Sequence, residues 1–174
     1  MTDVSAEHVI RAERPADVAA IRAVTEAAFR DKPYAGGNEA DIVDALREAG
    51  QLTLSLVAED AAASIVGHVA ISPVSLSDGS EGWFGLGPVS VAPATQRRGV
   101  GSALVRAALE AIREGGARGC VLLGDPTWYA RFGFVQAAPL VLPPVPAEYL
   151  RARVFAAPVP SATVTFHEAF HPKR

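Results

Sequence analysis

The stretch Gln96-Arg97-Arg98-Gly99-Val100-Gly101-Ser102 has the residue types and spacing to hold an anion. Two glycines let the chain turn sharply into a helix, whose first backbone N–H groups then point outward with partial positive charge. Arg97 and Arg98 add formal charge at the same point. A phosphate is the natural guest of such a turn. Neither familiar phosphate loop fits, however. A Walker loop needs Gly-Lys followed by Ser or Thr, and the dinucleotide fingerprint needs a third small residue where Leu104 stands.

A second group of residues could move protons. Glu39, His68, Glu81 and Asp125 are eligible bases by type, and no spacing singles one out. An acid at Glu39, the start of a helix, is equally explained by the helix dipole. His68 falls inside a strand, where a structural histidine is the commoner outcome. Cys120 opens an apolar run with no activating base beside it, so it reads as packing. Trp83, Phe84 and Trp128 read as core aromatics. His167 and His171 lack the close partners of a metal site, and no metal is expected.

These residues need elements to position them. His8 to Glu13 reads as a strand, and Pro15 precedes a helix with Val18, Ile21, Val24, Ala28 and Phe29 on one face. A loop containing Pro33, Gly36, Gly37 and Asn38 leads to a second helix with Ile42, Val43 and Leu46, stopped by Gly50. Three strands follow, from Leu52 to Ala58, Ile65 to Val74 and Trp83 to Val91, the last two separated by a turn at Asp78-Gly79. Pro88 cannot donate to a ladder, so the sheet is expected to open near it.

A long helix from about Gly99, with Val100, Ala103, Leu104, Ala107, Leu109 and Ile112 on its apolar face, ends at Gly115-Gly116. The apolar run Cys120 to Leu123 completes a βαβ crossover, which makes its two strands parallel. Beyond Phe134, six prolines (Pro139, Pro143, Pro144, Pro146, Pro158 and Pro160) leave room for short strands from Arg151 to Ala156 and Ala162 to His167. The expected organisation is one domain over residues 1–174, with a core over about 8–147 and a Pro-rich extension over 148–174.

Composition narrows the functional classes. The 174 residues are 49% hydrophobic and 20% charged, a globular balance with enough apolar material for one core. A net charge of -3 gives no general basic surface, which argues against nucleic acid or anionic lipid as the main partner. One cysteine excludes an internal disulfide, and the acidic N-terminal stretch Met1 to Glu7 has no leader-like apolar run. No window is apolar enough to span a bilayer. A cytoplasmic protein without a membrane partner is expected.

Gln96-x-x-Gly99-x-Gly101, placed after a strand and at the head of a helix, resembles the Gln/Arg-x-x-Gly-x-Gly/Ala signature of the GCN5-related N-acetyltransferases, the GNAT superfamily. The downstream segment Asp125-Pro126-Thr127-Trp128-Tyr129-Ala130-Arg131-Phe132-Gly133-Phe134 is similar to the family's strand end, tyrosine-bearing short helix and Gly-Phe pair, although Asp125-Pro126 stands where many members carry an Asn. The length of the tail matches the YhbS-type subgroup. The resemblance implies an α/β fold with a mixed, largely antiparallel central sheet, splayed between the fourth and fifth strands and flanked by helices.

It also implies acetyl-coenzyme A as acetyl donor, an amine acceptor and an acyltransferase activity. By the same resemblance, Val89, Ser90 and Val91 run along the pantetheine arm, with freed N–H groups for the oxyanion. Gln96, Arg97, Arg98, Gly99, Val100, Gly101 and Ser102 hold the pyrophosphate. Tyr129 is the matching acid for the thiolate, and Glu39 flanks the acceptor as base or contact. A homodimer is compatible with the family. A non-catalytic acyl-coenzyme A binding or sensing module is the alternative reading of the same loop.

Overall fold

A computed structural model describes residues 4–5, 8–32 and 35–171. Most of the N-terminal stretch read for a leader, and the turn residue Pro33, lie outside the described residues. An eight-stranded sheet runs in the order β1 (Val4–Ser5), β2 (His8–Ala12), β3 (Leu54–Glu59), β4 (Ile65–Pro73), β6 (Trp83–Val91), β7 (Gly119–Leu123), β9 (Leu150–Val154) and β8 (Val135–Gln136). A second, two-stranded sheet pairs β5 (Ser75–Leu76) with β10 (Val164–Thr165).

Every pair is antiparallel except β6 with β7, the two strands of the expected crossover. Residues expected to form a Pro-rich extension supply β9, which lies between β7 and β8 inside the main sheet. Among the described residues no helix is long and apolar enough to cross a membrane.

The helices cover both faces. On one side α1 (Val18–Phe29) and α2 (Glu39–Glu48) bring Ile21 and Val43 onto Val57 of β3. On the other, α3 (Val100–Glu114) buries Val100, Leu104, Val105, Ala108, Leu109 and Ile112 against the sheet. Its apolar positions recur at three- and four-residue intervals, and each large side chain so buried contributes about 1.5–3 kcal/mol. The helix ends where Gly116 turns left-handed at φ 89°, letting the Ala117 N–H reach the Ile112 carbonyl at 3.0 Å.

The opening of the sheet has a definite place. β6 and β7 pair only from Trp83↔Gly119 to Gly85↔Val121, so from Leu86 to Val91 the β7-facing edge of β6 has no ladder. On the opposite edge, Val69 faces Val89 while Ile71 faces Leu86. Gly87 and Pro88 therefore oppose Ala70 alone, a bulge that bends β6 at the point where it leaves β7. Pro88 lies in this bulge, where its missing N–H costs no regular ladder bond.

At the other end of the pair, Gly119 lies under the buried Trp83, and a Cβ added there would meet the ring at 2.4 Å. Gly119→Ala is expected to cost about 2 kcal/mol by overpacking and to lower Tm by about 4–8 °C, read by thermal unfolding.

Candidate active site

The carboxyl ends of β6 and β7 face the same way, each leading into a helix: α3 after β6 and α4 (Pro126–Ala130) after β7. Parallel strands that part at such a point leave a crevice for a ligand. Ala92 N–H donates to Val66 O of β4 at 2.8 Å. By the two-residue alternation of a strand, the main-chain groups of Ser90 also face β4, whereas those of Val89 and Val91 face the open edge.

Ser90 is thus set apart from the other two expected contact residues. Its side chain is buried and donates to Thr25 Oγ1 of α1 at 3.3 Å. The Val91 carbonyl accepts from Gln96 Nε2 at 3.1 Å. Gln96 therefore fixes the strand end against the loop, leaving the Val89 main chain and the Val91 N–H along the edge.

The loop then prepares an anion cradle. Arg97 and Gly99 both take positive φ, 67° and 82°, the conformations that turn the chain into α3. Ala103 N–H donates to Gly99 O at 3.0 Å, and the amides of Val100, Gly101 and Ser102 ahead of it have no carbonyl to reach within the helix. Val100 offers only its backbone, because its side chain is in the core. Arg97 and Arg98 are exposed at the rim. A Cβ on Gly101 would lie 3.4 Å from Val91 Cγ2 and 3.7 Å from Trp128 Cζ2, so the glycine keeps a narrow passage open between β6 and α4. An open strand edge leading to free helix amides fits an extended ligand that ends in a phosphate.

Tyr129 follows Trp128 on α4. Its ring lies over Gly124 at the end of β7, where a Cβ would meet Cε2 at 2.5 Å. It packs edge-on against Trp128 and Phe134, with centroids 4.7 and 5.8 Å away. Asp125 caps α4 by accepting from Thr127 N–H at 2.9 Å, which accounts for its carboxylate. Glu81 is exposed before the start of β6, at the opposite end of the strand from the crevice. Glu39 opens α2, where Oε1 accepts from Gly37 N–H at 3.3 Å and Oε2 is buried with no hydrogen-bond partner among the described residues.

On the same face as α1 and α2, sequence reasoning missed a polar chain that runs from partly buried to fully buried residues. Arg47 of α2 donates from Nε and Nη2 to the Glu13 carboxylate, both at 3.0 Å. Ser55 of β3 donates to Glu13, and its Oγ lies 2.8 Å from His68 Nε2 on β4. A carboxylate only accepts, so the Ser55 proton goes to Glu13 and its oxygen takes the His68 Nε2–H. Polar residues inside the apolar strands, Ser55 and His68, were the available signal.

Burial pushes the His68 pKa down to about 4; nearby Glu13 raises it and Arg47 lowers it, and burial dominates. The unfolded chain then binds more protons than the folded one between pH 6.5 and about 4. Stability is therefore complete above pH 6.5 and falls as the pH drops toward 4. His68→Gln should flatten this part of the profile, measured as urea midpoint against pH.

The tail closes the face opposite α3. The Phe166 ring sits where a Cβ on Gly85 would come within 2.8 Å, and the turn Glu168–Phe170 packs against α2.

Comparison with known proteins agrees with this geometry. Residues 52–136 match the family model described as an acetyltransferase (GNAT) domain. The uncharacterized N-acetyltransferase YhbS of Escherichia coli K12 is 38% identical over 130 residues, 75% of either chain. The crystal structure of Escherichia coli YhbS in complex with coenzyme A superposes with a TM-score of 0.86 at 34% identity, covering 99% of this chain and 96% of that one. A GNAT family acetyltransferase from Brucella melitensis, solved in complex with acetyl-coenzyme A, gives 0.84 at 48% identity over 94% and 97%. The parted strands, the glycine-opened helix and these long, close matches lead to one conclusion: the chain belongs to the GCN5-related N-acetyltransferase (GNAT) family.

Proposed function

We propose that the chain binds acetyl-coenzyme A along the open edge of β6 and transfers the acetyl group to a primary amine of a small molecule or peptide. The observation that carries this reading is the unladdered edge from Leu86 to Val91 running into the free amides of α3. The coenzyme complexes of the two relatives support it. In this arrangement the amides of Val100, Gly101 and Ser102, with Arg97 and Arg98, hold the pyrophosphate. The edge-facing groups of Val89 and Val91 pair with the pantetheine amides.

The reaction has three demands on the chain. The acceptor must lose a proton, the carbonyl oxygen must be held as it gains charge, and the departing sulfur must take up a proton. Glu39, at the start of α2, is assigned to the acceptor as base or contact. An N–H on the β6 edge is assigned to the oxyanion. The Tyr129 hydroxyl is assigned to the sulfur.

Thermal unfolding with acetyl-coenzyme A, coenzyme A and ATP in parallel tests the binding half. A rise with both coenzymes and none with ATP is expected, and no rise with either coenzyme would refute it. An amine panel followed by free-thiol release tests transfer. Binding without acetylation of any amine would replace this reading by an acyl-coenzyme A sensor.

A further inference from the structure

The open edge of β6 has two faces, and they differ in the room they leave. Toward α3, Val91 and Trp128 close in on Gly101, and the Tyr129 ring and Leu122 crowd Gly124 at the end of β7. An amine must approach a thioester carbonyl from above or below its plane. Along this edge the approach is therefore from the face opposite α3.

On that face β7 changes character along one row. Side chains alternate across a strand, so Val121 and Leu123 point away from α3 while Cys120 and Leu122 join its core. Val121 is fully buried under the tail with Val74 and Val164. Two residues on, where β6 has parted from β7, Leu123 is 45% exposed. The cover stops at Phe166, whose ring lies over Gly85, the last residue of β6 paired to β7. Phe166 packs on Phe170 with ring centroids 5.5 Å apart, and both residues are half-buried. Beyond Leu123, the Gly124 N–H donates to the carbonyl of Tyr149 at 3.1 Å, and Tyr149 is as exposed as Leu123. Apolar groups left open beside a ligand crevice mark the kind of ligand surface they meet.

We propose that Leu123 and the Phe166–Phe170 pair form a shelf for the acceptor, and that the acceptor is a primary amine on a short aromatic frame. The inference rests on the acetyl transfer proposed above and adds the class of amine. A flat ring lies on Leu123 and meets the phenylalanine rings edge to face, which favours it beyond the area it buries. A polyamine or an amino sugar would give up hydration there without a polar contact from these three side chains.

Phenethylamine and ethanolamine differ only in what the aminoethyl group carries, a phenyl ring or a hydroxyl. Isothermal titration into protein saturated with coenzyme A reads the shelf without turnover. Phenethylamine is expected to bind at least about tenfold tighter than ethanolamine, the value of covering part of one ring. Leu123→Gln should remove most of that preference. The position is half exposed, so the variant folds, and its Kd for coenzyme A is the control. Equal affinity for the two amines, tighter binding of spermidine than of phenethylamine, or an unchanged preference in Leu123→Gln would overturn the proposal. Free-thiol release separates this outcome from a failure of transfer. Preferred binding of phenethylamine with no thiol released removes the transfer and keeps the shelf. Equal kcat/KM for all three amines keeps the transfer and removes the shelf.

Discussion

Gly101→Glu raises the Kd for acetyl-coenzyme A by about a hundredfold, equivalent to about 2.7 kcal/mol, with little change in Tm. The Cβ itself is tolerated, since its nearest neighbour is 3.4 Å away. The atoms beyond it have only the passage between Val91 and Trp128 to enter, and the carboxylate then occupies the N-terminus of α3 in place of a phosphate. A helix N-terminus favours an acid, so the folded state is not penalised for the charge. Gly101→Ala, which adds bulk without charge, should cost far less affinity. Isothermal titration of both variants measures the difference. A Kd for Gly101→Glu within about threefold of the parent would place the pyrophosphate elsewhere.

Tyr129→Phe lowers kcat by about a hundredfold and leaves KM for acetyl-coenzyme A nearly unchanged, the pattern of a lost acid rather than lost binding. The ring's contacts with Gly124, Trp128 and Phe134 are made by carbon atoms, so phenylalanine keeps the packing. Gly124→Ala supplies an independent check. Its Cβ would come within 2.5 Å of the Tyr129 ring, so it should displace the hydroxyl and reproduce much of the loss while the phenol is still present. Free-thiol release under saturating amine reads both variants. An unchanged rate for Tyr129→Phe across the pH range would remove the acid from the mechanism.

The open strand edge and the glycine-turned start of α3 were legible in the sequence because their requirements are conformational. Gly99 needs a positive φ, and Pro88 needs a place without a ladder, so the residues name their own backbone states. Val89 and Ser90 show the limit of that legibility: which of them faces the open edge depends on the register with β4, and the bulge at Gly87-Pro88 sets the register. The chain from Arg47 through Glu13 and Ser55 to His68 was hidden for the same reason. Those residues come from different elements and meet only through strand pairing and the docking of α2. A short strand from Arg151 was expected within the Pro-rich residues 148–174, and β9 forms there, but its place beside β7 was not readable, because strand order is a property of the fold and not of the local composition.

The open edge of β6 also bears on how the protein survives without its ligand. Exposed strand edges template pairing with other chains, and proteins usually blunt them with charges or cover them. Here the vulnerable segment from Leu86 to Val91 carries no charged residue. Its protection is architectural: α3 and α4 stand on either side, and the bulge twists the strand, so another sheet cannot dock flat against it. A slender, flexible arm can still reach in. The recess therefore acts as a sieve on shape, admitting one extended molecule while denying the edge to a neighbouring polypeptide.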